Sequence, residues 1–197
     1  MPSAPPENLH DLLGTMKRAA ATLREAEIEF LLGGGLAIWA RGGPPTDHDV
    51  DLYVREVDAL RALDALVDAG FREDRPPEDW LYKAWDDGNL VDLIFRPAGG
   101  AIEDAHFERA TLMEVNAQRL HVASIDDVLV TKLLAMTEQE PDYRSILEVA
   151  RSLREQVDWN DVEARTKQSP FARAFFTLGE GLGIVEGRTV LRPAHVA

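Results

Sequence analysis

Residues 41–48, RGGPPTDH, cannot adopt a regular element: adjacent glycines and prolines remove both backbone stiffness and two N–H donors. This break divides an apolar stretch into two separate units. Upstream, IEFLL (28–32) reads as a short apolar strand, Gly33-Gly34-Gly35 as a turn, and LAIWA (36–40) as a short helix. Downstream, VDLYV (50–54) alternates, with Val50, Leu52 and Val54 on one side and Asp51 and Tyr53 on the other, the period-two pattern of a strand. A strand, a glycine turn, a helix, a loop and a second strand within residues 28–54 commit this part of the chain to a mixed α/β arrangement.

The flanking segments extend that arrangement. Residues 8–27 place Leu9, Leu12, Leu13, Met16, Ala20 and Leu23 at helical spacing, with Asn8 as a cap. Residues 56–70 set Val57, Leu60, Leu63, Leu66 and Val67 on one helical face and end at Gly70. WLYKAWDDGNLVDLIF (80–95) is two alternating runs around Asp87-Gly88, a strong hairpin signal, and residues 111–124 form a second hairpin around Asn116. From Ser124, paired with Asp127 in an approximate capping box, the chain turns helical over 125–138, 143–156, 159–168 and 171–182. The expected fold is therefore α/β (α+β): a mixed-sheet core over 1–124, a helical region over 125–183, and a loosely attached tail over 184–197.

The chain has no cysteine, so thiolate metal sites and a cysteine nucleophile are excluded and hard cations on oxygen ligands become the expected metals. No run of eighteen apolar residues occurs, and MPSAPPENLHDLL lacks the basic start and apolar centre of a signal peptide, so a cytoplasmic protein with no membrane partner is expected. The net charge of −14 argues against non-specific nucleic-acid binding. Of 35 acidic residues, 25 fall within 1–130, which also holds 12 of the 21 basic ones. That half suits a cationic small molecule, and a nucleic acid would have to meet the helical half.

The aspartates carry the chemistry. Asp49 and Asp51, two apart, project from one face of a strand and repel unless a cation joins them. Asp92, amid Leu90, Val91, Leu93 and Ile94, is a third carboxylate that needs a partner. Three carboxylates on adjacent strands fit a two-metal phosphoryl-transfer site with Mg²⁺ or Mn²⁺ and an NTP co-substrate. The glycines would let backbone N–H groups approach phosphate oxygens.

This pattern resembles the DNA polymerase β-like nucleotidyltransferase superfamily: Gly34-Gly35, thirteen intervening residues, Asp49-Val50-Asp51-Leu52, and Asp92 on a later strand. Within it, ASIDDVLVTKLLAM followed by PDYRSILEVARSL is similar to the helical half of AbiEii and MenT type toxins. The resemblance implies metal ligation by Asp49, Asp51 and Asp92. It implies nucleotide contacts from Gly34, Gly35, Arg41, Thr46, Lys132 and Asp142, with Lys132 at the triphosphate. The acceptor hydroxyl it implies is the 3′ end of tRNA, with a cognate antitoxin protein as partner. On that reading Arg144, Arg151, Arg154, Arg165, Lys167 and Arg173 line an RNA groove, the alternative being a solvated helical surface. Trp39, Trp80 and Trp85 are assigned to the core. Two alternatives remain: an antibiotic nucleotidyltransferase of the aminoglycoside or lincosamide kind, and a catalytically silent binding subunit.

Overall fold

A computed structural model describes residues 7–46, 48–74 and 77–185. The chain opens with α1 (Glu7–Glu25), whose apolar stripe from Leu9 to Leu23 is buried. β1 (Phe30–Leu32) leads into α2 (Gly34–Ala40), then β2 (Asp49–Val54), α3 (Glu56–Asp68) and β3 (Arg72–Asp74). The hairpin β4 (Leu81–Asp86) and β5 (Asn89–Ile94), α4 (Asp104–Arg109), and the hairpin β6 (Thr111–Val115) and β7 (Gln118–Val122) complete the α/β half. Four helices follow: α5 (Ile125–Ala135), α6 (Tyr143–Leu153), α7 (Trp159–Thr166) and α8 (Pro170–Gly181).

The strands form one seven-stranded mixed sheet in the order β3-β4-β5-β2-β1-β7-β6. β2 is parallel to β5 and β1 is parallel to β7, while the remaining neighbours are antiparallel. This is the expected mixed α/β fold. Helices α1 and α3 pack on β2 and β5, whose alternate residues Val50, Leu52, Val91 and Leu93 are buried. Alternation then sends Asp49, Asp51 and Asp92 to the opposite face. There α5 packs on α2, and the Thr131 side chain hydrogen-bonds Tyr53. Buried residues from Leu9 to Val185 make one continuous cluster across both halves of the chain.

Three local readings change. Helix α3 buries only part of its expected apolar stripe: Leu63 and Leu66 face inward together with Ala59 and Ala62, whereas Val57 is 82% and Leu60 48% exposed and Val67 is exposed as well. The small alanines let the helix lie close to the sheet, and that packing outweighs the wider leucine–valine stripe. Strand β3, Arg-Glu-Asp, has no apolar alternation to reveal it, and α4 buries no residue at all. Ile184 and Val185 pack against α8 rather than trailing away, with Val185 over Gly179; the rest of the expected tail, 186–197, lies outside the described residues. Among the described residues no helix is long and apolar enough to cross a membrane.

Candidate active site

Strand register builds the site. Asp51 pairs with Asp92 across the parallel β2–β5 contact, Asp92 with Lys83 across the β4–β5 hairpin, and Lys83 with Asp74 on β3. One row of the sheet therefore carries Asp51, Asp92, Lys83 and Asp74 side by side. Asp49, two residues before Asp51, adds a further carboxylate on the same face. One oxygen from each of Asp49, Asp51 and Asp92 lies within 4.8 Å of the others, a set that can hold a metal ion.

The electrostatics match a site that is short of positive charge. Burial first, and then Asp49 and Asp92, push the Asp51 carboxyl well above the ordinary carboxylate range, against the opposing pull of Lys132 and a backbone hydrogen bond from Gly35. Burial also raises Asp92, reinforced by Asp49 and Asp74 and opposed by Lys83, whose ammonium donates to both carboxylate oxygens at 3.0 and 3.1 Å. Three clustered oxygen donors and a deficit of cations fit a hard divalent ion better than three independent carboxylates.

The glycine triplet answers to side chains. Gly34 has φ +49, and a Cβ there would lie 1.5 Å from the Asp51 carboxylate. A Cβ on Gly35 would fall 2.5 Å from the Thr46 hydroxyl. Within the turn, Gly33 N–H donates to the Asp51 carbonyl, Gly34 N–H to the Tyr53 hydroxyl and Gly35 N–H to the Asp51 carboxylate. Here the glycines let β2 side chains reach the turn and lock Asp51 in place.

Two cavities meet at Lys132 on α5. One, of about 510 Å³, is lined by Gly34, Asp51, Tyr53, Trp80, Arg96 and Thr131 among others. The second, of about 200 Å³, is lined by Gly35, Thr46, His48, Ser145 and Glu148. Lys132 thus stands between the acidic cluster and the glycine–threonine wall, where an ammonium can meet a phosphate chain.

The remaining residues suggested by sequence have other partners. The Arg41 guanidinium donates to the carbonyls of Val122 and Ala123 at 2.8 to 3.2 Å, tying α2 to the end of β7. Asp142 caps α6 by accepting from the Ser145 amide, and lines neither of the two cavities that share Lys132. Trp80, expected in the core, is 37% exposed and borders the larger cavity. Of the basic residues proposed for an RNA groove, Arg165 pairs with Asp127 and Asp161, Arg154 with Glu155, and Arg173 donates to the carbonyls of Lys167 and Gln168.

Sequence reading overlooked Lys83 and Tyr53. Both were accessible: the two-residue turn at Asp87-Gly88 pairs Asp86 with Asn89, so counting back sets Lys83 opposite Asp92, and Tyr53 lies two residues beyond Asp51 on the same face.

No curated protein matches the chain by sequence. Its fold is similar to that of ANT(2″)-Ia in complex with adenylyl-2″-tobramycin, at 16% identity and a TM-score of 0.56 over 84% of this chain and 97% of that one. The solution structure of the antibiotic-resistance factor ANT(2″)-Ia gives 17% identity and a TM-score of 0.57, covering 86% and 96% of the two chains. Lincomycin-bound lincosamide antibiotic adenylyltransferase LnuA gives 12% identity and a TM-score of 0.47, covering 75% and 98%. The fold, the row of aspartates and the sequence pattern matched over residues 13–173 agree, and the chain belongs to the family described as nucleotidyl transferase of unknown function, DUF2204.

Proposed function

We propose that this nucleotidyltransferase moves a nucleoside monophosphate from an NTP to a hydroxyl of a small cationic acceptor, using Asp49, Asp51 and Asp92 with Mg²⁺ or Mn²⁺. The observation that carries the chemistry is the meeting of these three carboxylates within 4.8 Å. A bound divalent cation would supply charge for the triphosphate and lower the pKa of the attacking hydroxyl. Lys132 neutralises triphosphate oxygens from α5. The acceptor oxygen bonds to the α-phosphorus, the bond to the bridging α–β oxygen breaks, and pyrophosphate leaves. Asp92 takes the hydroxyl proton.

The acceptor reading rests on charge. Asp49, Asp51, Asp92 and Asp74 crowd one sheet face around Lys83, a field that attracts cations and repels a polyanion. Several arginines that an RNA would need are engaged within the chain. ANT(2″)-Ia, with the same fold, has been seen with adenylyl-2″-tobramycin, an adenylylated small molecule. The test offers the four NTPs and Mg²⁺ with separate polyamine-bearing aminocyclitols, lincosamides and total tRNA, and weighs each acceptor by mass spectrometry. A gain of one nucleoside monophosphate on a cationic small molecule supports the reading. A gain on tRNA alone replaces it with the RNA-directed, toxin-like reading and its antitoxin partner.

A further inference from the structure

We infer that the Lys83 ammonium takes the place of a second divalent cation, so that the site works with one metal ion held by Asp49 and Asp51. This rests on the proposed metal-dependent transfer and concerns how many ions that reaction uses. With two ions to hold, the third carboxylate would be needed as a ligand as well. Here that carboxylate, Asp92, is covered on both oxygens by Lys83 Nζ at 3.0 and 3.1 Å.

The contact is set by the backbone. Lys83 is opposite Asp92 in the β4–β5 register, and the turn at Asp87-Gly88 fixes that register. Lys83 is also opposite Asp74 on β3, so both strands beside it carry an aspartate in its row. Its side chain is 23% and that of Asp92 9% exposed, which confines the pair to this sheet face. Three carboxylates balanced by one divalent ion and one ammonium form a neutral set. A second divalent ion would have to displace Lys83 or share Asp92 with it at a close like-charge distance.

The experiment counts ions in the full-length protein with Mn²⁺ as the probe and inorganic triphosphate as a base-independent stand-in for the NTP. Electron paramagnetic resonance separates isolated Mn²⁺ from a spin-coupled pair, and the wild type is compared with Lys83→Met and Lys83→Arg. The wild type is expected to hold one uncoupled ion per chain. Lys83→Met should bind a second ion at least ~10-fold more tightly than the wild type does and show the coupled spectrum, whereas Lys83→Arg should stay with one. Lys83→Gln provides a second neutral variant if circular dichroism shows Lys83→Met unfolded. A coupled pair already present in the wild type overturns the inference and leaves metal-dependent transfer standing. Second-ion binding unchanged in both neutral variants overturns it as well. An absence of Mn²⁺ binding that depends on Asp49 overturns the metal-dependent reading itself.

Discussion

Replacing Gly34 with alanine separates the site's geometry from the protein's stability. The new Cβ would fall 1.5 Å from Asp51 Oδ2, and ordinary van der Waals contact begins at 3.4 Å, so the carboxylate must retreat by about 2 Å. That movement breaks its hydrogen bond to Gly35 and takes it away from Asp49 and Asp92. A misplacement of about 1 Å at a reacting centre costs about 10²-fold, so the expected loss of transfer is at least ~10²-fold, or about 2.7 kcal/mol of transition-state stabilisation. The stability cost adds about 1–2 kcal/mol for alanine at positive φ to about 1–3 kcal/mol for the forced displacement, which lowers Tm by about 4–20 °C in a chain of this length. Gly70→Ala is the control, because Gly70 has φ +93 but its Cβ would meet only Arg18 Nη2, at 3.7 Å. Pyrophosphate release and thermal unfolding are measured on both variants. Gly34→Ala retaining activity within about threefold of wild type, or Gly70→Ala losing as much as Gly34→Ala, would refute the claim that the glycine turn exists to seat Asp51.

Further outcomes follow from individual partners. Arg41→Met removes donors to the Val122 and Ala123 carbonyls, so it should lower stability by about 1.5–3 kcal/mol in urea unfolding while leaving the KM for NTP unchanged. Lys132→Met should raise that KM about 10-fold or more in initial-rate measurements, with Lys132→Arg recovering part of the loss. Asp127 is buried between Arg109, Arg165 and Ser124, and Asp127→Asn should cost about 2–4 kcal/mol, because its partly exposed arginines keep some hydration. Burial would raise the Asp127 carboxyl, yet hydrogen bonds from Arg109, Ser124 and Arg165 prevail and hold it below the ordinary range. A depressed folded pKa contributes stability above the unfolded value of about 3.9 and loses it as pH falls through the folded one. The gap between wild type and Asp127→Asn should therefore stay constant from about pH 5 to 8 and close in acid.

Local signals made much of this structure legible. The Gly42-to-Pro45 break, the alternation of VDLYV and the Asp87-Gly88 turn located the strands that carry Asp49, Asp51 and Asp92, and Ser124 caps α5 by accepting from the Asp127 amide. What stayed hidden depends on partners distant in sequence. Nothing near Arg41 discloses that its guanidinium is held 82 residues away by Ala123, and only the folded turn shows that the Gly34 and Gly35 amides are held by Tyr53 and Asp51. Trp80 looks like a core aromatic until the sheet leaves it on a cavity rim. On α3 the buried face is shared between Leu63 and Leu66, which the apolar spacing reveals, and Ala59 and Ala62, which it does not.

The most direct test of the account follows the label from the NTP. With Mg²⁺ and the cationic acceptor panel, α-³²P should enter the acceptor, γ-³²P should leave as pyrophosphate, and both events should fail in Asp49→Asn. Transfer of γ-³²P to the acceptor, or α-³²P transfer that survives Asp49→Asn, would contradict nucleotidyl transfer at this cluster of carboxylates.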